Sequence, residues 1–296
     1  MKNKNLFNGI LVAATAILMM SCGGSGDDEL QNVVVGDTTT TVTTPEQPAV
    51  EYAVPTPNEL FEIIKIQGGE QRPGLVNTLD NRPNYVDLKA KSLNFGVYSA
   101  DLAYMSCFGI GTEFLMYFKA IEEMGEELGI SGAFDEELME RIENNEGDTD
   151  TLFAISNETY YDSYLYLEEN GKGVELCLIM AGGYIESLYI ICNLVDKFKE
   201  GDPIIEKIGD QKLVLENLLD FILQYSDDQL VSEVMDDLIT LSDVFETSME
   251  FEESGTTIDK TENKLVLSGG GSYKMTKNSL EKITAKAEEL RANIIK

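Results

Sequence analysis

Between Val174 and Val195 the chain reads VELCLIMAGGYIESLYIICNLV, interrupted by charge only at Glu175 and Glu186. Such a run is too long for a strand and too apolar on every side for a surface helix, so a helix wrapped by others is expected, extending to about Lys199. Gly182 and Gly183 sit at its middle, where each costs roughly 1 kcal/mol of helix propensity relative to alanine. Close approach of a second helix is the usual compensation. Leu102–Ile121 is a comparable stretch with its own glycines, Gly109 and Gly111. The expectation is two central helices crossing at these glycines. Both runs are long enough to span a bilayer, but Glu113 and Glu186 near their centres would be expensive in lipid, which favours core helices.

The surrounding pattern is helical as well. Thr56-Pro57-Asn58-Glu59 has the form of a capping box with proline at the first helical position. Residues 67–88 are punctuated by Gly and Pro and read as irregular. One long helix is expected from about Lys91 to Leu128, a short acidic one from Asp135 to about Asn145, and another from near Asp148 to Asn170. Asp202-Pro203 opens the next, and Ser226-Asp227-Asp228-Gln229 reads as a capping box for a helix reaching about Met249. Residues 253–275 break the pattern; one candidate strand at Lys264–Leu267 makes no sheet, and a long loop is expected. The last helix starts near Asn278, with Glu281 in capping-box position, and carries the stripe Leu280, Ile283, Ala287, Leu290, Ile294. The fold class expected is all-α, a single bundle of about eight helices. Gly109-x-x-x-Glu113-x-Leu115 and Gly182-x-x-x-Glu186-x-Leu188 also allow a duplicated helical unit.

The amino-terminal region differs. Lys2 and Lys4 precede the apolar run Leu6–Met20, which ends in Ser21-Cys22. This resembles a bacterial lipoprotein signal with its lipobox, although Met19 and Met20 are looser than the usual pattern. The resemblance implies a signal peptide over residues 1–21 and acylation of Cys22, with palmitate among the acyl groups, followed by a flexible Thr/Pro/Gly linker over 22–56 and the all-α domain over 57–296. Asp27-Asp28-Glu29 resembles the surface-export signal of Bacteroidota lipoproteins, and Asp37-Thr38-Thr39 the O-glycosylation pattern of that phylum. SLNFGVYSADLAY (92–104), Glu127–Ile130 and GGYIESLYI (182–190) resemble an uncharacterised family of Bacteroidota lipoproteins. That likeness implies a helical, outer-membrane, lipid-anchored domain on the periplasmic or cell-surface face, and supplies no catalytic residue.

Charge excludes several functions. There are 53 acidic and 22 basic residues. Loss of Lys2 and Lys4 with a signal peptide would leave 53 against 20, a formal −33. Such a field repels nucleic acid and anionic headgroups. Acid is concentrated at 113–150, while residues 274–296 are basic, so the final helix is expected to lie against an acidic neighbour. The chain has no histidine and no tryptophan. The first absence removes Ser-His-Asp and Cys-His catalysis and His-ligated zinc or haem. No phosphate-cradling or dinucleotide motif is present, and no cofactor or metal is expected. Asp148-Thr149-Asp150 lacks EF-hand spacing and reads better as a helix cap. Cys107, Cys177 and Cys192 lie in apolar helical stretches and are expected to be reduced, with one disulfide involving Cys107 the alternative.

The polar groups forced into apolar helices remain as candidates: Asp101, Glu113 and Glu186, with Tyr117 and Tyr189 beside them and Tyr98, Tyr104 and Tyr184 nearby. A carboxylate removed from water must pair, hydrogen-bond or become neutral. Glu113 and Glu186 would meet if the central helices cross at their glycines. Converging carboxylates suit acid–base catalysis; equally, each could be a structural anchor. The function expected is a lipid-anchored, non-catalytic binding or assembly module with an envelope protein partner. The alternatives are a hydrolase or lyase using these acids, and a carbohydrate- or cation-binding surface lipoprotein.

Overall fold

The computed structural model describes residues 56–296 except 68–70, 73, 109–110, 135, 146, 253–256, 262–263 and 269–271, and the backbone alone at 133, 136, 137, 139, 143, 257–261, 264–268 and 272. The expected signal, Cys22 and linker lie outside the described residues. Helices α1 (Pro57–Gln67), α2 (Leu88–Ser106), α3 (Gly111–Leu128), α4 (Glu136–Glu143), α5 (Thr149–Glu169), α6 (Gly173–Asn193), α7 (Pro203–Leu223), α8 (Gln229–Ser248) and α9 (Lys277–Ile294) build one all-α bundle. A 3-10 helix covers Leu79–Asn84 and a shorter one Ser131–Ala133.

Helix α6 is the axis of the fold. It packs against α1, α2, α5, α7, α8 and α9, which is why it is apolar on all sides. Leu178, Ile190 and Ile191 are fully buried, each such side chain stabilising by about 1.5–3 kcal/mol relative to exposure. It is long and apolar enough to cross a membrane, yet 83% of its most apolar window is buried inside the fold.

Its main partner is α2, and glycines do set the approach. A Cβ on Gly182 would stand 2.0 Å from the Leu93 carbonyl oxygen, and one on Gly96 2.0 Å from the Ile179 carbonyl oxygen. The crossing therefore involves Gly96 where Gly109 and Gly111 were expected; Gly109 lies outside the described residues. The long helix expected over 91–128 is two helices, broken by a turn at Cys107-Phe108. Gly111 opens α3, so Glu113 lies in a first turn, whereas Glu186 lies well inside α6. Glu113 and Glu186, which the two seven-residue matches align, thus occupy different helix positions.

Caps explain most boundaries. Asp87, Asp148, Asp202 and Asp228 each accept backbone N–H bonds from the first turn of α2, α5, α7 and α8. Asp228 caps α8, in place of the box expected from Ser226. Thr276 and Ser279 cap α9 reciprocally, in place of the arrangement expected with Glu281. Helix α6 ends at Asn193, earlier than expected.

The expected long loop after α8 is largely paired. β1 (Glu250–Glu252) runs antiparallel to β4 (Ser272–Lys274), and β2 (Thr257–Thr261) to β3 (Lys264–Ser268). Lys264–Leu267 does belong to a strand; its partner on the other side of residues 262–263 is what the loop expectation lacked. Cys107, Cys177 and Cys192 are free thiols, so the disulfide alternative is not realised among them.

Candidate functional site

Asp101 on α2 and Glu186 on α6 meet in the centre of the bundle, both wholly buried. The cation beside them is Arg291 of α9, which pairs with Glu186. Its Nε donates to Glu186 Oε2 at 2.7 Å and its Nη2 to Glu186 Oε1 at 2.8 Å, a two-pronged pair across 105 residues of sequence. Nη2 also donates to the Leu75 carbonyl at 3.0 Å. The guanidinium lies 4.0 Å from the centre of the Tyr189 ring, which covers its face.

Asp101 Oδ2 accepts the Asn77 backbone N–H at 3.0 Å. Its Oδ1 has no hydrogen-bond partner. Burial, and then the Glu186 charge, push the Asp101 carboxyl well above the usual carboxylate range, against the pull of Arg291. Burial also raises Glu186, but its two bonds to Arg291 oppose the rise. Of the two carboxyls Asp101 is therefore the one driven further toward the neutral form, and a neutral Asp101 would have a hydroxyl to offer Glu186.

Around this centre tyrosines hold the 74–85 loop. Tyr117 donates to the Asn77 carbonyl at 2.8 Å and Tyr98 to the Thr78 carbonyl at 3.0 Å. Asn77 Nδ2 donates to Tyr85 at 3.0 Å, and Asn81 Nδ2 to Asn77 Oδ1 at 2.8 Å. Burial raises the Tyr98 and Tyr117 hydroxyls, which stay protonated as donors. Tyr104 and Tyr184 serve elsewhere: Tyr104 accepts from the Arg72 backbone N–H, and Tyr184 donates to the Gln211 carbonyl.

Of the residues singled out from sequence, Asp101, Glu186, Tyr117 and Tyr189 come together. Glu113 does not. It is half-buried at the start of α3, takes no part in the bonding around Arg291, and reaches the cluster only through its field at Tyr117. The expected meeting of Glu113 with Glu186 is replaced by that of Asp101 with Glu186. Arg291 and Asn77 were not singled out. Arg291 stands four residues after Ala287 and eight after Ile283, so the stripe spacing placed it on the buried face.

The cluster has the chemistry of a clamp. A general acid must touch what it protonates, and here every oxygen is turned to the fold. A surface hollow of about 400 Å³ beside the loop is lined by Leu79, Arg82 and Tyr85, and neither acid reaches it. Among the described residues no three His, Cys, Asp or Glu side chains gather as metal ligands.

A second feature lies on the surface. A groove of about 810 Å³ runs between α7 and the β1–β4 ladder. Leu213 and Phe251 at its edge are 62% and 56% exposed. Phe251 and Tyr273 are cross-strand partners whose rings meet edge to face, 5.2 Å between centres. Comparison with family models, with curated proteins and with solved structures gave no match.

Proposed function

We propose that this chain is a lipid-anchored lipoprotein of the outer membrane, of the Bacteroidota type, whose helical body binds or assembles with an envelope protein and catalyses nothing. The observation that carries the binding reading is the apolar, aromatic groove left open on an acidic body, at Leu213, Phe251 and Tyr273. Polar rims around exposed apolar patches mark interaction sites more often than chance. The lipobox resemblance at Cys22 and the linker that follows support the anchor. The pairing of Glu186 with Arg291 and the complete burial of Asp101 argue against a hydrolase or lyase using these acids.

The test is affinity capture of the tagged protein from intact envelopes, with mass spectrometry of what is retained and of the amino-terminal peptide. Expected are an acylated Cys22, one reproducible partner, and loss of membrane association on Cys22→Ser. An unacylated chain free in the cytosol, or turnover that vanishes when Asp101 or Glu186 is neutralised, overturns the reading.

The carbohydrate alternative has one observation in its favour. Tyr161, 50% exposed, stacks on Tyr164 at 6.2 Å and 20°. Flat exposed rings suit sugar faces, and binding on a glycan array that is lost in Tyr161→Ala would establish it.

A further inference from the structure

We infer that the groove between α7 and the β1–β4 ladder is a docking site for a polypeptide segment that interleaves basic and apolar side chains; this rests on the binding-module reading above. The floor is apolar, with Ile205 and Met275 buried beneath it. Gly209 lets the ladder sit low on α7, since a Cβ there would stand 2.9 Å from Met275 Cγ. Above the floor, Phe251, Tyr273 and Leu213 offer apolar surface to solvent.

The charges around it fix the sign of the occupant. The lining carries Glu200, Glu206, Asp210 and Glu252 against Lys212 and Lys274. Both lysines are already engaged. Lys212 pairs with Glu216 and, at 3.0 Å, with Glu246, and its ammonium covers the Tyr273 ring at 4.4 Å. Lys274 pairs with Glu200 at 2.5 Å and Glu252 at 3.5 Å. Among the described residues no ion pair reaches Glu206 or Asp210. These two carboxylates stand one turn apart on α7, facing a groove whose cations are spent. They are free for ammonium or guanidinium groups from outside, while the aromatic pair takes apolar side chains between them. A second copy of this chain is disfavoured by its own formal charge of −31, and anionic lipid by the same field.

The test uses the full chain at physiological ionic strength and three synthetic dodecapeptides, alternating Lys-Leu, Lys-Ser and Glu-Leu. Lys-Leu is expected to bind, and the other two to bind about tenfold more weakly or not at all. The exposed-residue variant L213S/F251S and the charge variant E206Q/D210N are each expected to weaken Lys-Leu by about tenfold. E122Q/E126Q, which removes acids from α3, is expected to leave it unchanged. Unaltered far-ultraviolet circular dichroism in all three variants makes the losses local. Equal binding of Lys-Leu and Lys-Ser, equal loss in the α3 variant, or a dimer in sedimentation that L213S/F251S abolishes would each overturn the proposal. Envelope capture with the same variants separates this claim from the one it rests on. A partner retained by both groove variants overturns the groove alone. Peptide binding as expected with no envelope partner for any version upholds the groove and overturns the module reading.

Discussion

Asp101 and Glu186, 85 residues apart on two different helices, form a buried carboxyl pair in which Glu186 is bonded twice by Arg291 while burial and the Glu186 charge push Asp101 toward its neutral form. With Asp101 neutral, the group is a neutral unit inside an apolar bundle. Removing its parts one at a time has unequal consequences.

Glu186→Gln leaves Arg291 buried beside a neutral amide. Breaking a buried pair in this way typically costs about 3–5 kcal/mol. Asp101 can limit the loss by releasing its proton and becoming the counter-charge. The double variant Asp101→Asn/Glu186→Gln has no such reserve and is expected to lose more than the sum of the two single changes. Urea denaturation of all three variants measures the difference; additivity would show that the two acids act separately.

Asp101→Asn alone mimics the protonated acid, with an amide N–H donating to Glu186 and a carbonyl accepting from Asn77. At neutral pH it is expected to change stability by less than about 1 kcal/mol. Its signature lies in the pH profile. The folded carboxyl holds its proton above the ordinary value of 3.8, so the folded state binds more protons than the unfolded chain. Stability contributed by this group is full below that value and falls as pH rises toward the raised one. Denaturation midpoints taken from acid to neutral pH should show this decline in the parent and a flatter profile in the variant. Parallel profiles would rule out the shared proton.

The three glycines of the α2–α6 crossing are predicted to differ. Gly96→Ala and Gly182→Ala each drive a methyl to within 2.0 Å of a backbone carbonyl oxygen, which no rotamer can relieve. Each is expected to cost about 3 kcal/mol or more. Gly183→Ala meets the Gly96 carbonyl oxygen at 3.3 Å, so a shift of a few tenths of an ångström suffices. Its cost should be under about 1 kcal/mol, since alanine regains helix propensity. Thermal midpoints that ranked Gly183→Ala with the other two would contradict this geometry.

The thiols offer a simple measure of closure. Burial pushes Cys107, Cys177 and Cys192 each up to about 12, so none holds appreciable thiolate at neutral pH. A disulfide-exchange reagent should titrate all three only after denaturation, with half-buried Cys107 the first to react as denaturant rises. Rapid reaction of Cys177 or Cys192 in the native protein would mean that α6 is less enclosed than described.

Sequence pattern carried most of this architecture because α6 is apolar on every side and α9 carries a single apolar stripe. The break between α2 and α3 was not legible, because apolar character continues through Cys107-Phe108 and only the turn reveals the end. The β1–β4 ladder escaped notice because its strands are three residues each and lie 20 positions apart. The glycine argument identified the kind of contact on α6 but misassigned the partner, since Gly96 stands alone in a helix without a glycine neighbour to flag it. For the candidate site, the acids were visible as charges in apolar helices. Their meeting depended on tertiary geometry: Arg291 reads as a solvated base until the stripe spacing is extended to it.

Arg291 belongs to α9, the last helix described, while Glu186, which it pairs with, and Asp101 beside it belong to α6 and α2. A chain growing from its amino end produces both carboxyls long before it produces their cation. Until α9 emerges, α2 and α6 close on each other only with Glu186 unpaired or protonated, and the 74–85 loop lacks the donor that fastens Leu75. The centre of the bundle is thus expected to settle last, when one guanidinium arrives to close it.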